Sequence, residues 1–383
     1  MRRESALAPH FPPLVAPFGV AADAVLPEPW LAWLATALRP DAAPASPPPA
    51  EADWEAAWPA LDRHGLLPLL RSRLRESIAW DALAPPVRER LDAAYYANAV
   101  RSFGLEEELE RIAAALAAAG AAFMLLKGLA ASRLVYASLA ERLVNDLDLL
   151  VRPDDASAAV AALEALNYRS PSLDRPRGWL QRYRAELPLV CADQGPRRGL
   201  LVELHWSLVE SPFHVATLNA AELWRTARPA GHLPNAWLPD PAVLLLHGAA
   251  HLALHHSQSL RLIWLVDLDR LARLPSLRWD LVLDLAEAWR LGLALQASLL
   301  AAQRWLGTPL PPQALDRLEA LAGDPVARAT WGVGDEQPGR WWRRARASWR
   351  VLPPRARPRY AAWLAGRAAL RPLEALQARR RKP

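Results

Sequence analysis

The sequence predicts an α+β protein, a small mixed-sheet core flanked by N-terminal and C-terminal helical domains. Three observations carry that expectation. Apolar residues recur at three- and four-residue spacing before residue 119 and again from residue 241 onward. Between those regions lie short, continuous apolar runs of strand length. Gly120 stands where the first pattern gives way to the second, as a helix stop does. With 383 residues, 52% hydrophobic and 22% charged, the chain can build two or three domains and is not disordered as a whole.

Residues 1–53 hold one short helix, 29–38, and a Pro/Ala linker, 40–53, that cannot pack a core. Residues 54–119 form a helical lead-in, with helical spacing over 54–76 and 86–119. In the second stretch Glu106, Glu107, Glu108 and Glu110 beside Arg111 are expected on the solvent side. The core is 120–210. It opens with the strand AAFMLLKG and a helix over 129–138, followed by a buried strand, 147–151, ended by Arg152-Pro153. A helix over 155–166 and a Pro/Arg-rich loop over 170–178 follow, then strands near 186–192 and 199–208. Residues 211–340 read as a helical domain and 341–383 as a basic helical tail rich in Arg and Trp.

Basic residues number 46 against 40 acidic, and 340–382 contains a single acid, Glu374. Interleaved Arg and Trp can follow a nucleic-acid backbone and stack on bases; the plainer reading is a helical end shaped by an Arg- and Ala-rich bias. Cys191 is the only cysteine, so an intrachain disulfide or a Cys-based zinc site is excluded and a reducing compartment fits. The first residues carry prolines in place of a signal-peptide core, and no run of about 18 apolar residues suggests a membrane span. The expected location is cytoplasmic. Only Lys127 and Lys382 are lysines, so Lys127 stands where a compact ammonium is wanted rather than a planar guanidinium.

Asp-Leu-Asp occurs twice, at residues 146–148 and 267–269. On a strand, Asp146 and Asp148 share one side while Leu147, Leu149 and Val151 take the other. The second copy lies in LRLIWLVDLDRLARL, whose apolar spacing is helical, so Asp267 and Asp269 diverge and form no metal pair. In Val202-Glu203-Leu204-His205, Glu203 and His205 share a face, and a neighbouring strand would bring Glu203 against the aspartate pair. Three carboxylates on one sheet face suit Mg²⁺, and two such ions about 3.5 to 4 Å apart serve phosphoryl chemistry.

Residues 97–272 resemble the uncharacterised nucleotidyltransferase family of the DNA polymerase beta-like superfamily. The resemblance is carried by LLKG after an Ala-rich helix, Arg142, the D-x-D strand at Asp146 and Asp148, ELHW at 203–206, and a later helix with His251 followed by RLIWLVDLDRL. It implies transfer of a nucleoside monophosphate, ATP being the favoured donor, to an acceptor with release of pyrophosphate. Asp146, Asp148 and Glu203 would hold two Mg²⁺ ions, and Lys127, Gly128 and Arg142 would receive the triphosphate. The superfamily's usual Gly-Gly or Gly-Ser turn is Lys127-Gly128 here. Arg142 has a plainer alternative, holding an acid such as Glu141 or Asp154. His247, His251 and His255 fall on one helical face but lack a third ligand type and a catalytic Glu for zinc. The expectation is therefore that His251 hydrogen-bonds a polar group such as Asp267 and lines an acceptor pocket, with His205 supporting the carboxylates. The acceptor is a small molecule, a peptide or protein, or RNA. The rivals are a catalytically silent binding or assembly protein and an RNA- or tRNA-directed enzyme or toxin.

Overall fold

The computed structural model describes residues 13–41, 51–170, 185–209, 213–214, 218, 220–331, 341–358, 360–362 and 364–365. Expectations for residues 1–12, linker residues 42–50, loop residues 171–178 and tail residues 366–383 lie outside these. The lead-in contains α1 (Glu28–Leu38), α2 (Glu51–Arg63), α3 (Leu67–Arg75) and α4 (Pro85–Ala118). The central part runs β1 (Phe123–Leu125), α5 (Lys127–Leu134), β2 (Asp146–Val151), α6 (Ala156–Ala165), β3 (Tyr168–Arg169), β4 (Glu186–Cys191) and β5 (Leu201–His205). Then come α7 (Ala220–Arg225), β6 (Arg228–Pro229), β7 (Ala236–Leu238), α8 (Pro241–His255) and α9 (Leu262–Ala272). The chain continues through α10 (Trp279–Ala288), α11 (Gly292–Leu306), α12 (Pro312–Ala322), α13 (Pro325–Thr330) and α14 (Trp341–Val351).

The chain divides into two compact units. Met1–Glu107, Lys127–Val144 and Pro241–Asp335 make the first, which is helical; Glu108–Leu126, Asn145–Asp240 and Glu336–Pro383 make the second, which holds the sheet.

Among the described residues of the second unit, seven strands form one mixed sheet in the order β3-β4-β5-β2-β1-β7-β6. β2 lies parallel to β5 and antiparallel to β1, while β1 lies parallel to β7. The centre is set by burial. Leu147, Leu149, Leu150 and Val151 of β2 are fully buried, as are Phe123, Met124 and Leu125 of β1 and Val202 and Leu204 of β5. A continuous apolar run is what a strand covered on both faces requires, and each such side chain contributes about 1.5–3 kcal/mol. Pro188 is tolerated within β4 because β3 reaches only Val190 and Cys191, so that among the described residues no strand pairs with that edge of β4 at residue 188.

Three expectations need correction. The spacing over 54–76 yields two helices, α2 and α3, which part at His64-Gly65. β3, β6 and β7 were not foreseen: each is two or three residues long, too short for alternation to register, and the sheet continues to Leu238. Glu108 is not on the solvent side. It is 2% exposed and accepts hydrogen bonds from the Tyr168 hydroxyl at 3.0 Å, Arg197 at 3.2 Å and Arg111 at 3.3 Å. A buried carboxylate persists only when paired in this way. Burial, and then the Glu108 charge, push the Tyr168 phenol far above its ordinary range, so it remains a donor. α4 itself ends as expected, with Gly120 left-handed at φ 71° just past its last turn.

Candidate functional site

β2 and β5 run parallel with Asp148 opposite Glu203, Asp146 opposite Leu201 and Leu150 opposite His205. Residues in register on neighbouring strands project to the same side, and so do residues two apart on one strand. Asp146, Asp148, Glu203 and His205 therefore share one face. β4 adds Glu186, in register with His205 on the other side of β5.

The side chains converge unevenly. Asp148, Glu203 and His205 offer ligand atoms that all lie within 4.8 Å of one another. Asp146 is outside that trio, half-buried at the first residue of β2. Asp148 is 2% exposed and His205 likewise 2%. His205 Nε2 lies 3.0 Å from Asp148 Oδ1 and 3.8 Å from Glu203 Oε2, and its Nδ1 lies 3.2 Å from Glu186 Oε2. The imidazole thus sits among three carboxylates. Glu186 was missed by sequence reasoning. It opens β4 after residues rich in Arg and Pro, and only its register against His205 gives it a place. The donor set fits a hard divalent cation, since it is dominated by carboxylate oxygens on a rigid sheet face.

The residues expected to receive a triphosphate belong to the first unit. Leu126 donates its N–H to the Asp148 carbonyl at 3.0 Å, and the chain then passes directly to Lys127. Lys127 opens α5 with φ 45°, in the left-handed region that an L side chain seldom adopts. At Gly128 a Cβ would stand 3.2 Å from Arg142 Nη2, so the missing side chain lets the guanidinium lie against the turn. Arg142 is buried and donates two bonds to Asp267, from Nε at 2.9 Å and Nη2 at 2.7 Å. The paired acid is Asp267 of α9, not the Glu141 or Asp154 that sequence proximity suggests.

Asp267 also accepts from the Tyr136 hydroxyl at 2.6 Å. Burial and then the Asp267 charge raise the Tyr136 phenol well above its ordinary range, keeping the proton on the donor. Expecting His251 to bond Asp267 was wrong: Arg142 and Tyr136 fill that carboxylate. Asp269 turns elsewhere, accepting from Arg273 at 2.9 Å and Thr308 at 2.7 Å. Among the described residues, no zinc-like set of ligands forms around His247, His251 and His255.

Acids from adjoining parallel strands aligned on one sheet face could hold a divalent cation of the kind that assists phosphoryl chemistry. The profile of a family described as uncharacterised nucleotidyltransferase matches residues 50–307, about two thirds of the chain, and the chain belongs to that family. A comparison with curated proteins gave no match. No helix among the described residues is long and apolar enough to cross a membrane.

Proposed function

We propose that the protein transfers a nucleoside monophosphate from a nucleoside triphosphate, ATP foremost, to a hydroxyl or phosphate acceptor and releases pyrophosphate. The observation that carries this reading is the register of Asp148 against Glu203 on the face that also bears Asp146. Asp146, Asp148 and Glu203 are the residues that would hold Mg²⁺, as one ion or as a pair. When bound, the metal supplies positive charge to the phosphates and lowers the pKa of an attacking hydroxyl. Glu203, the more exposed of the two paired acids, takes the acceptor's proton. The acceptor oxygen bonds the α-phosphorus, the bond from that phosphorus to the bridging oxygen breaks, and pyrophosphate leaves with the electron pair. His205 and Glu186 orient Asp148 from within the sheet. Lys127, Gly128 and Arg142 are assigned to the triphosphate by the family resemblance. In Arg142 that role shares the guanidinium with Asp267.

One observation favours a second reading, a binding protein that keeps the fold without turnover. Asp148 is nearly inaccessible and already has His205 at hydrogen-bond distance. The two readings part on calorimetric titration with a nonhydrolysable ATP analogue, with and without Mg²⁺. Catalysis expects metal-dependent binding that disappears in folded Asp146→Asn/Asp148→Asn protein. Absence of binding by all four nucleoside triphosphates would leave only the scaffold. An RNA acceptor rests on the basic tail, where Arg346, Trp349 and Arg350 of α14 are exposed. RNA affinity that falls steeply with added salt is its expected signature.

A further inference from the structure

α4 presents two different faces. Leu91, Asn98, Ser102 and Leu105 lie within about 60° of one another around the helix and are buried. Asn98 donates to the Ala140 carbonyl at 2.7 Å and Ser102 to the Leu139 carbonyl at 3.1 Å, so this face is committed to the fold. Half a turn away, Ala93, Tyr96, Ala97, Val100, Phe103 and Gly104 form a stripe at the three- and four-residue spacing of a helix seam, and all six are exposed. Tyr96 is 58% exposed, Val100 75% and Phe103 67%; these are three of the six large apolar side chains exposed among the described residues. Apolar groups gathered on one outward face mark a surface that receives another.

Gly104 adds an independent observation. It stands in the interior of a 34-residue helix, where glycine is weaker than alanine because it loses more backbone freedom. A Cβ there would meet nothing within 4 Å, so packing around it does not require a glycine. A bare helix surface at an exposed position suits a partner whose backbone comes close.

The partner that fits is a second copy of the same face. Around the helix Ala93, Ala97 and Gly104 lie to one side of Val100, and Tyr96 and Phe103 to the other. A two-fold axis perpendicular to α4, passing between Asn98 and Ala99, keeps like sides together. Ala93 then meets Gly104 of the second copy, the two Ala97 methyls approach across the axis, and Tyr96 of each copy comes beside Phe103 of the other. Small residues let the helices close on one flank while aromatic rings pair along the other. The same axis brings Arg90 beside Glu107 of the second copy at both ends of the seam, because the two lie equally far from it along the helix. Both are exposed; the Arg90 side chain is 53% exposed, with Glu55 Oε2 at 3.7 Å. A parallel pair would instead set Arg90 against Arg90 and Glu107 against Glu107.

We propose that the outward stripe of α4 is a homodimer interface, in which two copies pack antiparallel about a two-fold axis between Asn98 and Ala99. Apolar contact supplies the attraction, the small residues set the approach, and the Arg90 and Glu107 pairs fix the direction. A seam of this length is small beside the interfaces of permanent assemblies, so dissociation in the micromolar range is expected. The proposal is independent of the nucleotidyl-transfer reading and stands or falls without it.

The test is sedimentation equilibrium of the full chain over micromolar concentrations, where the expected result is reversible exchange between 42.3 kDa and twice that mass. Val100→Glu places an unpaired charge in the seam and should weaken association roughly tenfold or more. Gly104→Leu should do the same, yet leave the urea midpoint of the dilute monomer unchanged or higher, which a glycine needed by the fold itself would not allow. Arg90→Glu and Glu107→Arg should each weaken association about three- to tenfold and together restore it, a rescue that the antiparallel pairing provides and a parallel one does not. Glu89, exposed beside Arg90, faces Glu107 of the second copy as a like charge, so Glu89→Arg should tighten the dimer. Ile78→Ser, at an exposed apolar side chain outside the stripe, leaves it unchanged. Wild-type protein that stays at 42.3 kDa throughout, as it would if another segment of the chain covered the stripe, overturns the proposal. So does association indifferent to both Val100→Glu and Gly104→Leu, or one that the charge exchange does not restore.

Discussion

The two Asp-Leu-Asp tripeptides show how little a spelling determines. In β2 the pair stands at the start of a strand buried on both faces, and period-two geometry sends both acids to the side where Glu203 and His205 project. In α9 the same residues are about 200° apart around a helix. Asp267 goes to Arg142 and Tyr136, and Asp269 to Arg273 and Thr308. The helical pair is neutralised by fixed protein donors and serves structure. The strand pair is joined by further acids, Glu203 and Glu186, with the His205 imidazole among them. Carboxylates gathered from adjoining strands on one rigid face can hold a cation; a carboxylate matched to a buried arginine serves structure.

That contrast breaks if the two pairs respond alike to loss of charge. Asp148→Asn keeps shape and removes the charge that would hold metal. Pyrophosphate release from ATP and acceptor is expected to fall on the order of 10³-fold, about 4 kcal/mol in the barrier, with unfolding midpoint little changed. Asp267→Asn should do the reverse. It leaves the Arg142 guanidinium buried without its counter-charge, and urea denaturation should show a loss of about 3 kcal/mol. A folded Asp267→Asn protein of unchanged stability would show that the helical pair is not structural.

Much of this difference was legible before the structure. Leu-rich alternation placed the first pair on a strand, and Leu260, Ile263, Trp264, Leu268 and Leu271 placed the second on a helix, because the two periods differ enough to be counted. That Glu203 and His205 share a face also followed from alternation. What could not be read was pairing at long range. Glu108 looks like one solvated acid among four, and only the fold brings Tyr168 and Arg197 to it from sixty and eighty-nine residues away. Arg142 finds Asp267 across 125 residues. Glu186 depends on strand register, which local pattern specifies poorly in β4, where Pro188 interrupts the run and only Leu189 and Cys191 are buried.

His64 sharpens the comparison from the other end of α9. Its Nε2 lies 2.7 Å from the Ala24 carbonyl, and its Nδ1 accepts the N–H of Leu262, the first residue of that helix, at 3.2 Å. The two bonds require neutral imidazole with the proton on Nε2, since a second proton would set N–H against N–H. Burial, opposed only in part by the Ala24 bond, holds the His64 pKa down at about 4 in place of the usual 6.5. In the unfolded chain the group protonates first, so the unfolded state binds more protons between those values and stability falls as pH drops from about 6.5 toward 4. The expected loss by pH 4 is roughly 2–3 kcal/mol, absent in His64→Asn, measured as urea unfolding free energy against pH. A wild-type profile parallel to that of His64→Asn would mean that the start of α9 does not hold a neutral imidazole.

The smallest expected effect tests whether the Lys127-Gly128 turn is built around Arg142. A methyl at Gly128 would meet Arg142 Nη2 at 3.2 Å and Cζ at 3.3 Å, closer than ordinary contact, while the same guanidinium is fixed by two bonds to Asp267. The arginine has little freedom to retreat without lengthening those bonds. Against that strain stands the gain from replacing glycine by alanine within a helix, on the order of 0.5–1 kcal/mol. Gly128→Ala alone should therefore cost about 1 kcal/mol or less on balance. In an Arg142→Leu background, which removes the fixed guanidinium, the same substitution should become neutral or stabilising, and a double-mutant cycle by urea unfolding reads that coupling. Equal effects in both backgrounds would place the constraint on Gly128 somewhere other than Arg142, and would detach the turn from the charge pair that distinguishes the helical Asp-Leu-Asp from the one on the sheet.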